Sequence, residues 1–526
     1  MKLYQITQFI TRWGLRPEQA IEQAAGKYHV DEGKISIRRQ ALDVRGKRSR
    51  AVYTMEVPME SSTVHLSGQP KIREIERPDF MEILREIPSN TMERPIIVGF
   101  GPAGLFASLV FLEKGIKPVI LERGKSVEER VIDVNAFWAQ GELDENSNPL
   151  FGEGGAGTFS DGKLTTRIND PMCSFVLEQF VRFGAKDKIL MDAKPHVGTD
   201  KLIKILASAR EHLLSRGAEI HFNTRFTGFQ EDERKVLVQT AGGETFTGDS
   251  LILAIGHSSR DTYRLLMESG MAMEPKPFAV GARLEHPQGQ IDDIMYGKGN
   301  RNRFGLPPAT YQMAWNGENG TGCYTFCMCP GGQVILAANE PETLCVNGMS
   351  GSKRNSPFAN AALVAKVPVT AFDGDDPMAG VRFQHRIEQD AYRLGMPGWM
   401  APSQRVMDFM DSKMTARPLA TSFTGQTYPY PLHELLPGFV VDQMRAGLQT
   451  FSGRVRGFID PSANLIGVET RTSAPLRILR DKGNGRSLSH PMVFPCGEGA
   501  GYAGGIMSAA IDGIKTAMAV LRSAEE

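Results

Sequence analysis

Apolar residues along this chain fall into two recurring patterns. Short continuous runs, "PIIVGF" at 95–100, "KPVILER" at 117–123, "LILAIG" at 251–256 and "MVFPC" at 492–496, have the length and branched composition of strands. Longer segments repeat their apolar positions at helical spacing. Examples are "LRPEQAIEQAAGKYHV" at 15–30, which places proline at a first turn, "KLIKILASAREHLLSRG" at 201–217 and "IMSAAIDGIKTAMAVL" at 506–521. Between the strands "PIIVGF" and "KPVILER" the pattern predicts a helix from Pro102 to Lys114, which makes a βαβ opening. "AEIHFNTRFTGF" (218–229) reads as one strand, and "KVLVQT" with "ETFTGDSLILAIG" reads as a hairpin. From about residue 272 the texture becomes β-rich, with "PFAVGARLEHP", "ATYQMAW", "GCYTFCMC" and "QVILAAN", before mixed helices lead back to the last apolar strand.

This order predicts an α/β chain in four stretches. Residues 1–90 form a small N-terminal α/β domain, and 91–271 the first part of a Rossmann-like nucleotide-binding domain. Residues 272–490 are an inserted β-rich α+β substrate domain, and 491–526 return to the nucleotide domain. The Pro-rich, charged stretch from Arg77 to Arg94 reads as a linker. In the N-terminal unit "KISIRRQALDVRGKRSRAVYTMEVPM" gives two β-like runs around a basic Gly-Lys-Arg turn. Eight Lys or Arg stand between Lys27 and Arg50 against three acidic residues. Such a cluster is either a solvated hairpin face or a surface for RNA or an acidic partner.

The strand "PIIV" runs straight into Gly99-x-Gly101-x-x-Gly104, with Pro102 and Ala103 opening the helix. Gly99 permits a tight turn, Gly101 lets backbone approach a pyrophosphate, and Gly104 lets helix and strand pack closely. Glu122 ends the next strand 18 residues after Gly104, where its carboxylate would meet ribose hydroxyls and disfavour a 2′-phosphate. The fingerprint serves NAD and FAD alike. Three distant segments favour the longer cofactor: "GEGGAGTFSDGKLTTR" (152–167), "LILAIGHSS" (251–259) and "VFPCGEGAGYAGGIMSAA" (493–510). No second strand–GxGxxG–helix unit follows, so a tightly held NAD(P)H is not expected.

Composition sets outer limits. The 526 residues are 41% hydrophobic, enough for several cores, and carry 60 basic against 60 acidic side chains, so nothing global points to nucleic acid or an anionic membrane. The run "LFASLVFL" is far short of the ~20 residues that span a bilayer, and "MKLYQITQFITRWG" lacks a signal-peptide core. Six cysteines in this length make no disulfide scaffold. A cytoplasmic flavoprotein is the expectation, with a small-molecule substrate, a separate electron donor or acceptor, and no membrane partner.

The layout resembles the FAD flavoproteins built like glutathione reductase and p-hydroxybenzoate hydroxylase. More closely, "FGEGGAGTFSDGKL", "PKPFAVGARLEHPQ", "FCMCPGG", "GVETRTSAPLRI" and "PCGEGAGYAGGI" resemble a family of uncharacterised FAD-dependent dehydrogenases over nearly the whole chain. That resemblance implies FAD and an oxidoreductase transferring hydride between a small organic substrate and flavin N5. A flavin monooxygenase, or an RNA-associated or RNA-modifying flavoprotein using the basic N-terminal unit, are the alternatives. Residue by residue it implies Gly99, Gly101 and Gly104 at the pyrophosphate, Glu122 at the adenosine ribose, and Arg123 and the backbone near Phe226 at the adenine. Ala254 and Gly256 match the family's Ala-Thr-Gly-like strand end. Gly154, Gly155, Gly157, Thr158, Ser160 and Lys163 would line the flavin. Gly497 and Glu498 would reach the ribityl chain, and Gly504, Gly505 and Ile506 would bring a helix N-terminus to flavin N1, where its dipole favours the negative charge of the reduced ring. The late Gly-Glu departs from the Gly-Asp of aromatic hydroxylases and leans away from oxygen insertion.

Candidates for chemistry are fewer. As a strand, "GCYTFCMC" would put Cys323, Thr325, Cys327 and Cys329 on one face, with Tyr324, Phe326 and Met328 on the other. Cys327 and Cys329 are then either redox-active or nucleophilic thiols near the flavin, or small packing residues. Their C-x3-C-x-C spacing matches no usual metal site. Arg283 and Arg471 would clamp a carboxylate substrate, and His286 would serve as general base, each against the alternative of a structural ion pair or a satisfied histidine.

Overall fold

The computed structural model describes residues 2–44, 49–59, 71–76, 78–87, 94–166, 170–232, 234–396, 398–417 and 419–523. The chain is a mixed α/β protein. Pro95–Val98, an unbroken run of buried residues, is the centre of a five-stranded parallel sheet. Val119–Leu121 and then Glu219–His221 lie on one side of it, and Ser250–Leu253 and Val493–Pro495 on the other. The last strand thus joins a sheet begun some four hundred residues earlier. Parallel pairing requires such crossovers, and buried apolar faces on both sides explain why these strands do not alternate.

The helix Pro102–Glu113 is apolar all round and almost wholly buried, as expected of a helix between a sheet and other helices. The C-terminal helix Ile506–Ser523 crosses it closely. A Cβ at Gly513 would sit 2.1 Å from the Ala103 carbonyl oxygen, so only glycine allows this approach. At the strand-to-helix turn Gly99 has φ 103°, and a Cβ there would meet the Ala254 carbonyl oxygen at 2.3 Å.

Residues 278–469 build a seven-stranded sheet in the order Ala314–Asn316, Gly322–Cys329, Phe358–Val367, Phe278–Pro287, Asn464–Glu469, Ala401–Arg405, Thr427–Pro429. The helix Gly438–Arg454 packs on one face of it and meets Cys323 at Gly447. The N-terminal unit is a four-stranded antiparallel sheet, Ser36–Asp43, Arg50–Met59, Lys2–Arg12 and Ile72–Ile75, with Pro17–Tyr28 as its helix.

Four sequence expectations need correction. The stretch from Arg77 to Arg94 is not simply a linker: Phe80–Glu86 is a helix, and Phe80, Leu84 and Ile87 are buried in the core around Pro102–Glu113. The N-terminal unit therefore ends before this helix and not at residue 90, because three apolar side chains at helical spacing belong to the neighbouring core. "AEIHFNTRFTGF" is two strands, Glu219–His221 in the parallel sheet and Phe226–Glu231 in a separate three-stranded sheet, with Asn223 at φ 54° turning the chain between them. "ETFTGDSLILAIG" divides likewise into Thr245–Gly248 and Ser250–Leu253. The first strand, Lys2–Arg12, is obscured in the sequence by a bulge at Gln8, φ 56°, which breaks its alternation. The basic Gly46-Lys47-Arg48 turn lies outside the described residues. Among those described, no helix is long and apolar enough to cross a membrane.

Candidate functional site

A cavity of about 1980 Å³ runs along the junction of the parallel sheet, the seven-stranded sheet and the N-terminal unit. Its lining includes Arg123, Thr224, Phe226, Ala254 and Gly256. It passes Gly99, Gly101, Pro102 and Ala103 at the start of the fingerprint helix, with Glu122 beside them. Its lining also includes Gly155 and Gly157, which approach Gly101 and Pro102, with Ser160, Lys163 and Glu498, and Gly504, Gly505 and Ile506 at the start of the C-terminal helix.

The walls are fixed from beneath by groups the sequence reading only partly found. Glu122 accepts hydrogen bonds from three backbone N–H groups, Phe100 (2.8 Å), Gly124 (2.9 Å) and Gly152 (3.1 Å), and so ties the fingerprint turn to the second Gly-rich loop. Arg130, fully buried, donates to the carbonyls of Asn148, Glu153 and Gly155 at 2.7–2.9 Å and holds that loop from below. A charged residue inside an otherwise ordinary amphipathic helix carries no sequence sign of this task. Arg123 lies over the Phe151 ring, 4.1 Å from its centroid, and bonds Asp261 and Asn146.

Several residues expected at the flavin do not face the cavity. Gly154 turns to the core, where a Cβ would strike Leu206 and Thr158. Thr158 donates to the Glu153 carbonyl and accepts from Arg130, and the Gly497 N–H is taken by Asp512 at 2.7 Å. Gly104 packs against the Gly99 carbonyl. His286 lies within the seven-stranded sheet, fully buried, with Nε2 on the Phe458 carbonyl at 2.9 Å. Burial pulls its pKa down to about 4. It does not wall the cavity and is no general base there, because the sheet pleat points it to the far core.

The carboxylate clamp also fails. Arg471 touches the cavity but spends its guanidinium on Glu388 (2.7 and 3.0 Å) and Asn339. Arg283 pairs with Glu469 at 2.9 Å. Both are internal ion pairs and not a joint anion receptor. Burial opposes the Glu388 charge, but Arg260 and Arg471 outweigh it and hold that carboxyl well below the usual range.

The single thiol face is likewise corrected. A bulge between Phe326 and Cys329 breaks the alternation. Cys327 reaches the cavity wall, Cys329 is buried beneath Arg283, and Cys323 packs against Gly447.

Around Lys163 stands a cluster that the sequence did not mark. Buried Asp161 is met by Lys163 (3.4 Å), Arg354 (2.6 Å), His196 (3.5 Å) and the Ser350 hydroxyl. Burial opposes the Asp161 charge, yet Lys163 and Arg354 hold its pKa below the ordinary value. Burial, then Arg354, pulls His196 down to about 4, so it is neutral at pH 7. Lys194 is lowered by burial and by the nearby charges of Lys163 and Arg354. In this part of the wall Lys163, Lys186, Lys188, Lys194, Lys201, Lys353 and Arg354 outnumber Asp161, Asp192 and Asp200.

The geometry suits a long, phosphate-bearing cofactor. A Cβ built at Gly256, Gly504 or Gly505 would meet nothing within 4 Å, and one at Gly101 only the Gly155 backbone, at 3.8 Å and beyond. Bare backbone thus faces the cavity at these four positions. The starts of Pro102–Glu113 and Ile506–Ser523 add N–H groups without intrahelical partners and the positive ends of two helix dipoles.

Residues 277–472 match the family model "FAD-dependent protein, C-terminal domain-like", and residues 140–277 match "Flavin containing amine oxidoreductase". A curated relative from Clostridium beijerinckii, named "Uncharacterized protein", is 41% identical over 93% of this chain and 92% of its own. The FAD-dependent monooxygenase nodY1 of Hypoxylon pulicicidum is 22% identical over 59% of this chain and 70% of its own. A solved structure of CtdE in complex with FAD aligns at 11% identity and TM-score 0.33, covering 83% of this chain and 88% of that one. FAD is the cofactor of this protein, and the chain belongs to one family with the Clostridium beijerinckii protein, a family of FAD-dependent flavoproteins.

Proposed function

We propose that this FAD-dependent oxidoreductase exchanges a hydride between flavin N5 and a small organic anion. The observation that carries the reading is the excess of positive charge around Lys163, Lys194 and Arg354 in the cavity wall, where the Lys163 loop and the C-terminal helix start meet. When bound, FAD supplies two-electron chemistry. Gly101, Gly155 and the two helix starts would hold it, with Glu122 fixing the turn that approaches its pyrophosphate. Within a cavity of low dielectric, a cation attracts a carboxylate or phosphate far more strongly than it does in water. Lys194 and Arg354 would bind and orient that group. Glu498, exposed to the cavity but shielded from bulk water, has its pKa raised to about 7 by burial, against a lowering by Lys276. Its carboxyl oxygen therefore takes up or gives up a proton near neutrality. The N-terminal unit adds Trp13, Arg39 and Gln40 to the wall.

The test is anaerobic bleaching of the bound flavin by matched pairs of carboxylates or phosphates and their neutral analogues. Bleaching confined to the anions, with Lys194→Ala raising KM at least tenfold, is the expected result. Equal bleaching by neutral analogues would refute the anion requirement. The relative named as a monooxygenase supports a second reading, oxygen insertion, and substrate-coupled incorporation of labelled dioxygen distinguishes it.

A further inference from the structure

The bulge in Gly322–Cys329 places Cys327 in the left-handed region at φ 42°. A non-glycine residue stays there only when its surroundings over-determine it, and such positions gather at functional sites. Three groups pin this one. Arg283 Nη2 donates to the Cys327 carbonyl at 2.7 Å, the Lys163 ammonium donates to the Met328 carbonyl, and the Cys329 thiol lies 3.4 Å from the Cys327 carbonyl oxygen. The two thiols have opposite settings. Cys327 walls the cavity, whereas Cys329 is 0% exposed with Arg283 3.5 Å from its sulfur.

The Cys329 S–H donates to the Cys327 carbonyl, which brings the second thiol up against the first residue. Cys329 keeps its proton and Cys327 carries the charge. Lys163 and Arg283 face that charge, opposed by Asp161, Glu469 and Glu498. The neighbouring Cys329 thiol, with the two cations, outweighs burial and holds Cys327 below the ordinary thiol range, while Cys329 is held well above it. An accessible thiolate beside a buried, protonated thiol is the division of labour of a dithiol that loses two electrons in sequence.

We propose that Cys327 and Cys329 form a hydroperoxide-reactive dithiol in the cavity wall. The Cys327 thiolate attacks one peroxide oxygen. An S–O bond forms, the O–O bond breaks, and the departing hydroxide takes a proton from the Lys163 ammonium and leaves as water. Sulfur is oxidised by two electrons and the peroxide is reduced. The Cys329 sulfur then attacks Cys327, the S–S bond forms as the S–O bond breaks, and hydroxide leaves with the Cys329 proton as a second water. The FAD assignment enters only as a local source of the oxidant, since a reduced flavin can hand two electrons to dioxygen and release hydrogen peroxide. The experiment supplies the peroxide from outside, so it stands apart from the proposed substrate.

Purified holoprotein is treated at pH 7 with a small molar excess of hydrogen peroxide, unfolded, and its thiols counted and mapped by mass spectrometry. The expected outcome is a fall from six thiols to four, with a loss of two hydrogens from the peptide holding Cys327 and Cys329. Cys329→Ser should stop at an oxidised Cys327 that dimedone traps, and Cys327→Ser should leave Cys329 reduced. The trapping rate should already be at its plateau at pH 7. Cys173, the only other cysteine not buried, has its thiol pKa raised by burial and serves as the internal control. Six remaining thiols, oxidation of Cys173 at the same rate, or a trapping rate that climbs through the ordinary thiol range near pH ~8.5 would each overturn the proposal. The wild-type count decides the matter even if either serine variant fails to fold.

Discussion

At the scale of single residues, the three glycines of the fingerprint do different work. Gly99 and Gly104 stand where a Cβ would enter carbonyl groups at 2.3 and 2.0 Å, while Gly101 faces the cavity with only Gly155 near it. Gly99→Ala is therefore expected to destabilise the fold by about 3 kcal/mol through overpacking, seen as a lower midpoint in urea. Gly101→Val should fold normally and lose FAD, read as a collapse of the visible flavin absorbance per protein. A Gly101→Val protein that stays fully yellow would contradict the site. The Glu388 cluster makes a second prediction. Arg471→Met leaves Glu388, which is fully buried, with Arg260 and only part of its compensation, and should cost about 3–5 kcal/mol. The folded Glu388 pKa lies below the unfolded value of roughly 4.3, so its stabilisation is present above that pH and is lost as pH falls towards the folded value. Unfolding midpoints of the wild type should drop between pH 5 and pH 3, and Glu388→Gln should flatten that drop.

At the scale of elements, the short helix Phe80–Glu86 decides where the chain can be cut. Its buried Phe80, Leu84 and Ile87 belong to the core around the helix Pro102–Glu113, and at ~1.5–3 kcal/mol per buried side chain their loss removes at least about 5 kcal/mol. A protein beginning at residue 78 should retain FAD, whereas one beginning at residue 91 should be far less stable to urea. The N-terminal sheet is joined to the rest through Gln40, whose N–H and carbonyl bond Met191 and Ala193 at 2.6 and 2.9 Å, and it walls the cavity. Removing it should speed quenching of bound flavin fluorescence by iodide. Unchanged quenching in the residue-78 protein would show that the sheet does not close the cavity. Of the basic residues counted in this unit, Arg39 faces the cavity and Arg38 bonds Glu56 at 2.7 Å, so part of that charge is not a free outer surface.

At the scale of the molecule, the cavity that would hold FAD is walled by residues from Gly99 to Ile506, so its binding and the global fold are expected to be linked. The purified protein is expected to be yellow and to release unmodified FAD on heating. Its apparent Tm should rise by an amount set by free FAD over its Kd. A Tm indifferent to added FAD, in protein stripped of its flavin, would argue against this linkage.

The sequence by itself determined what depends on local chemistry. The strand–turn–helix signature at 95–113, the late glycine turns at 497–505 and the long apolar helices are written in neighbouring residues, because turn geometry and amphipathic spacing are short-range properties. It could not decide what depends on distant partners. Arg471 and Arg283 look like substrate clamps until Glu388 and Glu469 are brought to them, and His286 looks like a base until the sheet buries it against Phe458. Strict alternation put every thiol of 323–329 on one face, and one bulge turned Cys327 to the cavity while Cys329 stayed in the core. The cationic cluster draws Asp161 and Lys163, Lys194 with His196, and Arg354 from three separate segments, so no window of sequence contains it. Charge pairing and burial are properties of the packed chain, and only the tertiary structure supplies them.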